Sequence, residues 1–226
     1  MIGKFNHYIS YDSWLVLFYN GFAFVEKDGK GGVIDKSNNV IVPFLYDVDT
    51  SEAEWGSYMP RFNDGLMRLK KDGKYGFVDI TGKICVPFEY DWAGSFFDGY
   101  FYEEEGLIRV WKDGYWGFVD KYGNVIVPLK YNFVTWYSEG FAAVMLGDWE
   151  TGKWGFIDKN GKVVIPIKYP FIGDGWRGYA FFSGGGTAVN IIGNDNDGWV
   201  LIDKTGKEIM PLTSVDAQRY RKGGVN

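Results

Sequence analysis

Asp35, Asp79, Asp120, Asp158 and Asp203 stand 44, 41, 38 and 45 residues apart in a chain of 226 residues. Five regularly placed carboxylates could serve acid–base chemistry, so their surroundings matter. Each opens a four-residue phrase, "DKSN", "DITG", "DKYG", "DKNG" or "DKTG". Aspartate at the first position of a turn accepts hydrogen bonds from the backbone that follows, and Gly or Asn at the fourth tolerates positive φ. The repetition is therefore that of a turn, and the carboxylates are assigned to turn geometry. Other reactive side chains are few. His7 is the single histidine and Cys85 the single cysteine, so neither a Ser-His nor a Cys-His pair can be argued, and an internal disulfide is excluded. "GNDNDG" from Gly193 to Gly198 resembles a calcium loop only in part: Gly193 stands where the first ligand belongs and Lys204 where the last does. Glu103, Glu104 and Glu105 could hold a glycosidase-type carboxylate pair, but nothing sets a separation, and an acidic protruding hairpin explains them. No catalytic residue, metal or cofactor is expected.

The elements that carry the aspartates follow from the same register. Eight residues after each stands a proline, Pro43, Pro87, Pro128, Pro166 and Pro211; eleven after the first four stands Tyr46, Tyr90, Tyr131 or Tyr169, with Ser214 in the fifth place. "WGFVD" and "VIVP" on either side of the turn are β-branched and aromatic, the composition of strands. Proline is expected to end the second strand by removing a ladder donor. Stretches starting at Gly21, Gly65 and Gly140 add a third strand before each hairpin, and the Tyr-led segment a short fourth. Runs such as Val125-Ile126-Val127 are apolar at successive positions, so both sheet faces must be covered and neighbouring units should stack face to face.

The pattern Trp/Tyr-Gly-Phe-Val/Ile-Asp-Lys-x-Gly-Lys-x-Val-Ile/Val-Pro-x-x-Tyr resembles the bacterial WG beta-repeat family. Trp116-Gly117, Trp154-Gly155 and Tyr75-Gly76 carry its naming dipeptide, whereas Gly31-Gly32 and Trp199-Val200 depart from it. The resemblance runs from Gly21 to Pro211 and implies all-β repeat structure and interaction roles, with no catalytic residues to carry over. The expected fold is thus all-β: five tandem antiparallel meanders in one domain over residues 1–212, with a tail at 213–226. Half-units at the two ends would complete one repeat, which favours a closed, propeller-like ring over an open β-solenoid. The tail "TSVDAQRYRKGG" can form a short helix capped by Thr213, with Asp216 three residues on and Gly223 as the stop, placed to cover an end.

Bulk composition narrows function. A net charge of −5 argues against nucleic acid as a partner. The start "MIGKFNHYIS" has no apolar secretory core, and no run nears the ~18 apolar residues of a membrane span, so a cytoplasmic location away from the membrane is expected. Trp116, Trp154 and Trp199 hold the repeat position and belong to packing; Trp55, Trp92, Trp136, Trp149 and Trp176 fall outside the frame. Spacing from the repeat tyrosine to the next glycine is 9 in three units and 19 after Tyr46, which marks an insertion; a second lies before the third hairpin. Repeat folds place binding in such insertions. The expected partner-binding residues are Glu52, Glu54, Trp55, Tyr58, Tyr102, Glu103, Glu104, Glu105, Trp149 and Trp176. The leading function is a non-enzymatic scaffold for a protein partner, in one form a small cytoplasmic inhibitor of the immunity type facing a basic protein. The alternatives are a lectin-like carbohydrate-binding module and a carboxylate-dependent hydrolase.

Overall fold

A computed structural model describes residues 18–48, 60–94, 106–170, 181–193 and 197–221, with side chains through 217. The chain divides into two compact units, Met1–Tyr100 with Lys121–Asn124, and Phe101–Asp120 with Val125–Asn226. In the first unit β1 (Phe22–Lys27), β2 (Lys30–Asp35) and β3 (Val40–Tyr46) form one antiparallel meander. β4 (Leu66–Lys71), β5 (Lys74–Asp79) and β6 (Ile84–Tyr90) form the next, followed by the short β7 (Trp92–Ala93). In the second unit β8 (Leu107–Lys112), β9 (Tyr115–Asp120) and β10 (Val125–Tyr131) repeat the pattern. β11 (Phe133–Val134) then pairs with β12 (Phe141–Leu146), which continues to β13 (Lys153–Asp158) and β14 (Val163–Tyr169). β15 (Gly186–Asn190), β16 (Trp199–Asp203) and β17 (Glu208–Leu212) form the last sheet. The protein is all-β with five antiparallel sheets, and β11 is the short fourth strand that the Tyr-led segment predicts.

The turns are built as the aspartates require. Asp35 Oδ1 accepts from the Ser37 and Asn39 amides, both at 2.8 Å. Asp158 does the same for Asn160 and Lys162 at 3.0 and 2.9 Å, and Asp203 for Thr205 and Lys207 at 2.8 and 3.0 Å. The fourth position is left-handed throughout, from Asn38 at φ 62° to Gly123 at 85°. Side-chain hydrogen bonds from Asn39, Thr81 and Thr205 lead the effects that hold Asp35, Asp79 and Asp203 below the usual carboxylate range. At the other extreme, desolvation pushes the buried Tyr90 hydroxyl up to about 12, with Glu89 adding to it. The depressed carboxylates stabilise the fold above their ordinary pKa of about 4, and that contribution is lost as pH falls through their lower folded values. Neutral Tyr90 stabilises it below about pH 10, a contribution lost as pH rises towards its folded value. Thermal midpoints measured across pH should therefore form a plateau that drops below about pH 4 and again above about pH 10; no acid fall would rule out the turn carboxylates as contributors.

Proline does not end the second strand. β3, β6, β10 and β14 each continue three residues past it to the repeat tyrosine. The reason lies in the pairing: Trp154 faces Tyr169 while Phe156 faces Ile165, so two extra residues bulge from β14 around Pro166. The same shift occurs between Gly31/Tyr46 and Val33/Val42. An imide nitrogen costs no ladder bond inside a bulge, and these are edge strands, where proline also discourages pairing with another chain. The glycine of the naming dipeptide belongs to the same bulge. A Cβ on Gly117 would lie 2.5 Å from the Val127 carbonyl oxygen, and one on Gly155 would lie 2.6 Å from that of Ile165. β17 has no such bulge, since Trp199, Val200 and Leu201 face Leu212, Pro211 and Met210 in simple register. Val200 can therefore replace the glycine there.

The sheets stack. In the first unit Phe24, Val33, Val42 and Tyr46 of one sheet pack on Met67, Leu69 and Val78 of the next. In the second, Ala143, Trp154, Phe156 and Ile165 pack on Val189, Val200 and Ile202. A signal absent from the sequence reading adds to this: the residue after the repeat tyrosine holds the next unit's turn. Asp47 accepts from the Gly73 amide at 2.9 Å and Asn132 from that of Gly147 at 2.9 Å. The helix α1 (Ser214–Arg221) starts as expected, with Thr213 Oγ1 accepting from the Asp216 amide at 3.1 Å and donating to its carboxylate at 2.6 Å. Gly223 lies outside the described residues. Ala217 of α1 packs on Ala188 and Trp199, so the helix covers the face of the last sheet that a further sheet covers elsewhere. Among the described residues no helix is long and apolar enough to cross a membrane.

Candidate functional site

Of the residues expected to bind a partner, Trp149 is described. Glu52, Glu54, Trp55, Tyr58, Tyr102, Glu103, Glu104, Glu105 and Trp176 lie outside the described residues. Trp149 sits in the turn between β12 and β13. Asp148 Oδ1 accepts from the Glu150 amide at 2.9 Å and from the Thr151 amide and hydroxyl at 2.7 and 2.9 Å. The Gly152 amide closes the loop on the Asp148 carbonyl at 2.8 Å. The hydrogen bonds from Thr151, with a smaller one from Glu150, hold the Asp148 carboxyl below its ordinary range. Gly147, at φ 97°, and Gly152 approach so closely that a Cβ on the first would lie 2.9 Å from Cα of the second. The turn is thus fixed by its own hydrogen bonds, and it presents an indole that is 57 % exposed.

The indole does not stand alone. Its ring centroid lies 4.9 Å from that of Phe133 and 6.0 Å from that of Trp154. Phe133 lies in turn 5.7 Å from Trp116, and Trp116 lies 6.2 Å from Trp111, its cross-strand partner. Five aromatic rings form a row across the third and fourth sheets, with Trp154 buried, Trp111, Trp116 and Phe133 half-buried, and Trp149 exposed at the end. Tilted ring pairs at these separations contribute beyond area burial. The sequence reading missed Trp111 and Phe133. The signal for Phe133 was its place two residues after Tyr131, in the Tyr-led strand; that for Trp111 was the alternation of β8 opposite Trp116.

Two expectations about tryptophan separate here. Trp154 and Trp199 are core residues, 5 % and 1 % exposed. Trp136, outside the repeat frame, has a packing role. The Arg109 guanidinium lies 4.2 Å from its ring and 5.1 Å from that of Trp116, and donates to the Val134 carbonyl at 3.3 Å. Arg68 repeats the arrangement in the first unit, donating to the Ala93 carbonyl at 2.7 Å and lying 5.0 Å from Tyr75. Aromatic walls and a carbonyl are what a buried guanidinium needs. A second polar cluster joins two repeats: Glu139 accepts from the Gly184 and Gly185 amides at 2.7 and 3.1 Å and pairs with Lys204 at 3.0 Å. Burial opposes ionisation of Glu139, but these partners outweigh it and hold its carboxyl below the ordinary range. Among the described residues no group of three or more His, Cys, Asp or Glu side chains could hold a metal ion.

Comparison with known proteins agrees with the repeat. No curated protein matches the chain. Among solved structures, the chain is similar to the crystal structure of a eukaryotic initiation factor, at 12 % identity and TM-score 0.46, over 85 % of this chain and 51 % of that one. It is also similar to Kluyveromyces lactis Hsv2, at 9 % identity and TM-score 0.40, over 85 % of this chain and 59 % of the other. The chain thus spans between half and three-fifths of those two structures. The WG containing repeat model matches residues 11–30, 32–48, 75–116, 116–148 and 154–183. The last hairpin, Trp199 to Pro211, lies beyond these spans yet keeps the same Asp203 turn. With more than half of its residues matched and the aspartate turn recurring from sheet to sheet, the chain belongs to the WG containing repeat family.

Proposed function

We propose that this chain is a non-enzymatic protein-binding scaffold whose contact surface includes the aromatic row ending at Trp149. The observation that supports it is an exposed indole on a self-bonded turn, stacked on Phe133 and backed by Trp154. Tryptophan is enriched where interfaces concentrate binding energy, and an anchor already held in place loses little entropy on docking. Asp148 and Glu150 flank the ring, and the chain carries a net charge of −5, which suits a basic partner. In its most specific form the reading is a small cytoplasmic inhibitor of the immunity type, with Glu52, Glu54, Trp55, Tyr58, Tyr102, Glu103, Glu104, Glu105 and Trp176 as further proposed partner contacts.

Purified chain used as bait in host lysate should retain a stoichiometric protein that is released at high salt. Trp149→Ala should weaken that complex at least tenfold, about 1.4 kcal/mol, with a melting midpoint lowered only slightly, because the indole is 57 % exposed and gives up its ring contacts with Phe133 and Trp154. Unchanged affinity in the variant would remove Trp149 from the surface. A row of indoles also suits stacking on sugar rings, which is the second reading. A tryptophan-fluorescence response to a glycan panel, with a bait that retains no protein, would favour it.

A further inference from the structure

We infer that copies of this chain associate head to tail, with the first hairpin turn of one copy (residues 35–40) seated on the outer strand β17 of another. The inference goes beyond partner binding and rests on how each repeat receives the next. Wherever a turn follows a repeat within a unit, the fourth residue of that turn lies on the preceding outer strand. A Cβ on Gly82 would lie 2.4 Å from the Ile41 carbonyl oxygen and one on Gly123 2.9 Å from that of Cys85. At Gly161 it would lie 3.2 Å from Val127 Cγ2, and at Gly206 3.3 Å from Ile165 Cγ2. The residues beneath these turns, Val42, Val86, Val127 and Ile165, are all 0 % exposed. This is one interface used four times.

Among the described residues each partner of a fifth such interface is present and exposed. Met210 holds the place of Val42, Val86, Val127 and Ile165, seven residues after the turn aspartate, yet it is 51 % exposed, and its neighbour Ile209 is 54 % exposed. Helix α1 shields Ala188 and Trp199 through Ala217 and reaches β17 at Leu212, while Ile209 and Met210 of that strand stay exposed and the helix's own Val215 is 60 % exposed. The four seated glycines are half-buried, whereas Asn38, their counterpart in the first turn, is exposed. Asn38 brings a Cβ, which at the seats of Gly161 and Gly206 would meet the branched side chain of Val127 or Ile165. Met210 is unbranched and can yield where Val and Ile cannot. Lys36 on the turn and Glu208 at the start of β17, both exposed, carry opposite charges. A contact between different patches of identical chains is heterologous, so it builds rings or open files of copies rather than closed two-fold dimers.

Sedimentation of the full chain over a concentration series tests this. The expected result is a mass above the monomer that grows with concentration. Met210→Lys and Ser37→Arg, both at exposed sites, should each yield monomer with an unchanged melting profile. Mixing the two should restore a one-to-one dimer, because each retains the patch the other lacks. Wild-type chain that stays monomeric throughout would overturn the inference. So would an oligomer that survives both substitutions. A monomer that Met210→Lys destabilises would show that the strand is covered within its own chain, which also rejects association between copies.

Discussion

Gly155→Ala destabilises the protein by roughly 1–3 kcal/mol, and Gly155→Val by more, although glycine-to-alanine within a strand is ordinarily neutral or favourable. The new Cβ would lie 2.6 Å from the Ile165 carbonyl oxygen, 2.7 Å from Ile167 Cα and 2.8 Å from Ile167 N. All three are backbone atoms, so no side chain can rotate away and the bulge in β14 must move. That bulge sits on the sheet whose inner face carries Ala143, Trp154 and Phe156 against the last sheet, and any shift spreads into a close-packed core. Against a typical total of 5–15 kcal/mol the loss is large. Urea denaturation of the two variants beside wild type measures it. The internal control is Val200, which occupies the same repeat position without a bulge; Val200→Ala should behave as an ordinary loss of buried methyl groups. If Gly155→Ala unfolds within about 0.5 kcal/mol of wild type, the close approach is not what selects glycine.

The glycine shows where sequence reasoning reaches and where it stops. The aspartate turns were legible because their chemistry is local: a carboxylate, two amides within four residues and one left-handed position. Helix α1 was legible for the same reason, through Thr213 and Asp216. Proline was misread because its meaning depends on the facing strand. Taken alone Pro166 ends a strand, whereas opposite Gly155 it marks a bulge. The two signals occur together in the first four repeats and part in the fifth, where Val200 faces Pro211 without the extra residues. Of the partner-binding residues, Trp149 could be picked out as an aromatic outside the frame. The row behind it could not, because Trp111, Trp116 and Phe133 come from three strands and meet only once the sheets are paired.

Trp199→Ala should cost more still, about 3–5 kcal/mol, and should act at a distance from its own sheet. The indole is 1 % exposed and packs in one cluster with Ala188, Ala217 of helix α1 and its cross-strand neighbour Leu212. The two alanines are too small to fill the space that the ring leaves, so a cavity remains rather than a collapsed contact. The helix is the more sensitive reporter. Eight residues are too few to hold helical structure in water without packing, and among its described side chains α1 is held by the Thr213–Asp216 cap and the apolar contact of Ala217. Losing the indole should release α1 before the sheets melt, because the opposite face of the last sheet remains held through Val189, Val200 and Ile202. Hydrogen exchange at Ala217, whose amide bonds to the Thr213 carbonyl at 2.9 Å, should then rise towards unprotected rates while amides of β16 stay protected. Equal loss of protection in helix and sheet would mean that α1 is part of one cooperative core. Unchanged protection at Ala217 would mean that the cap, not the tryptophan, holds the helix.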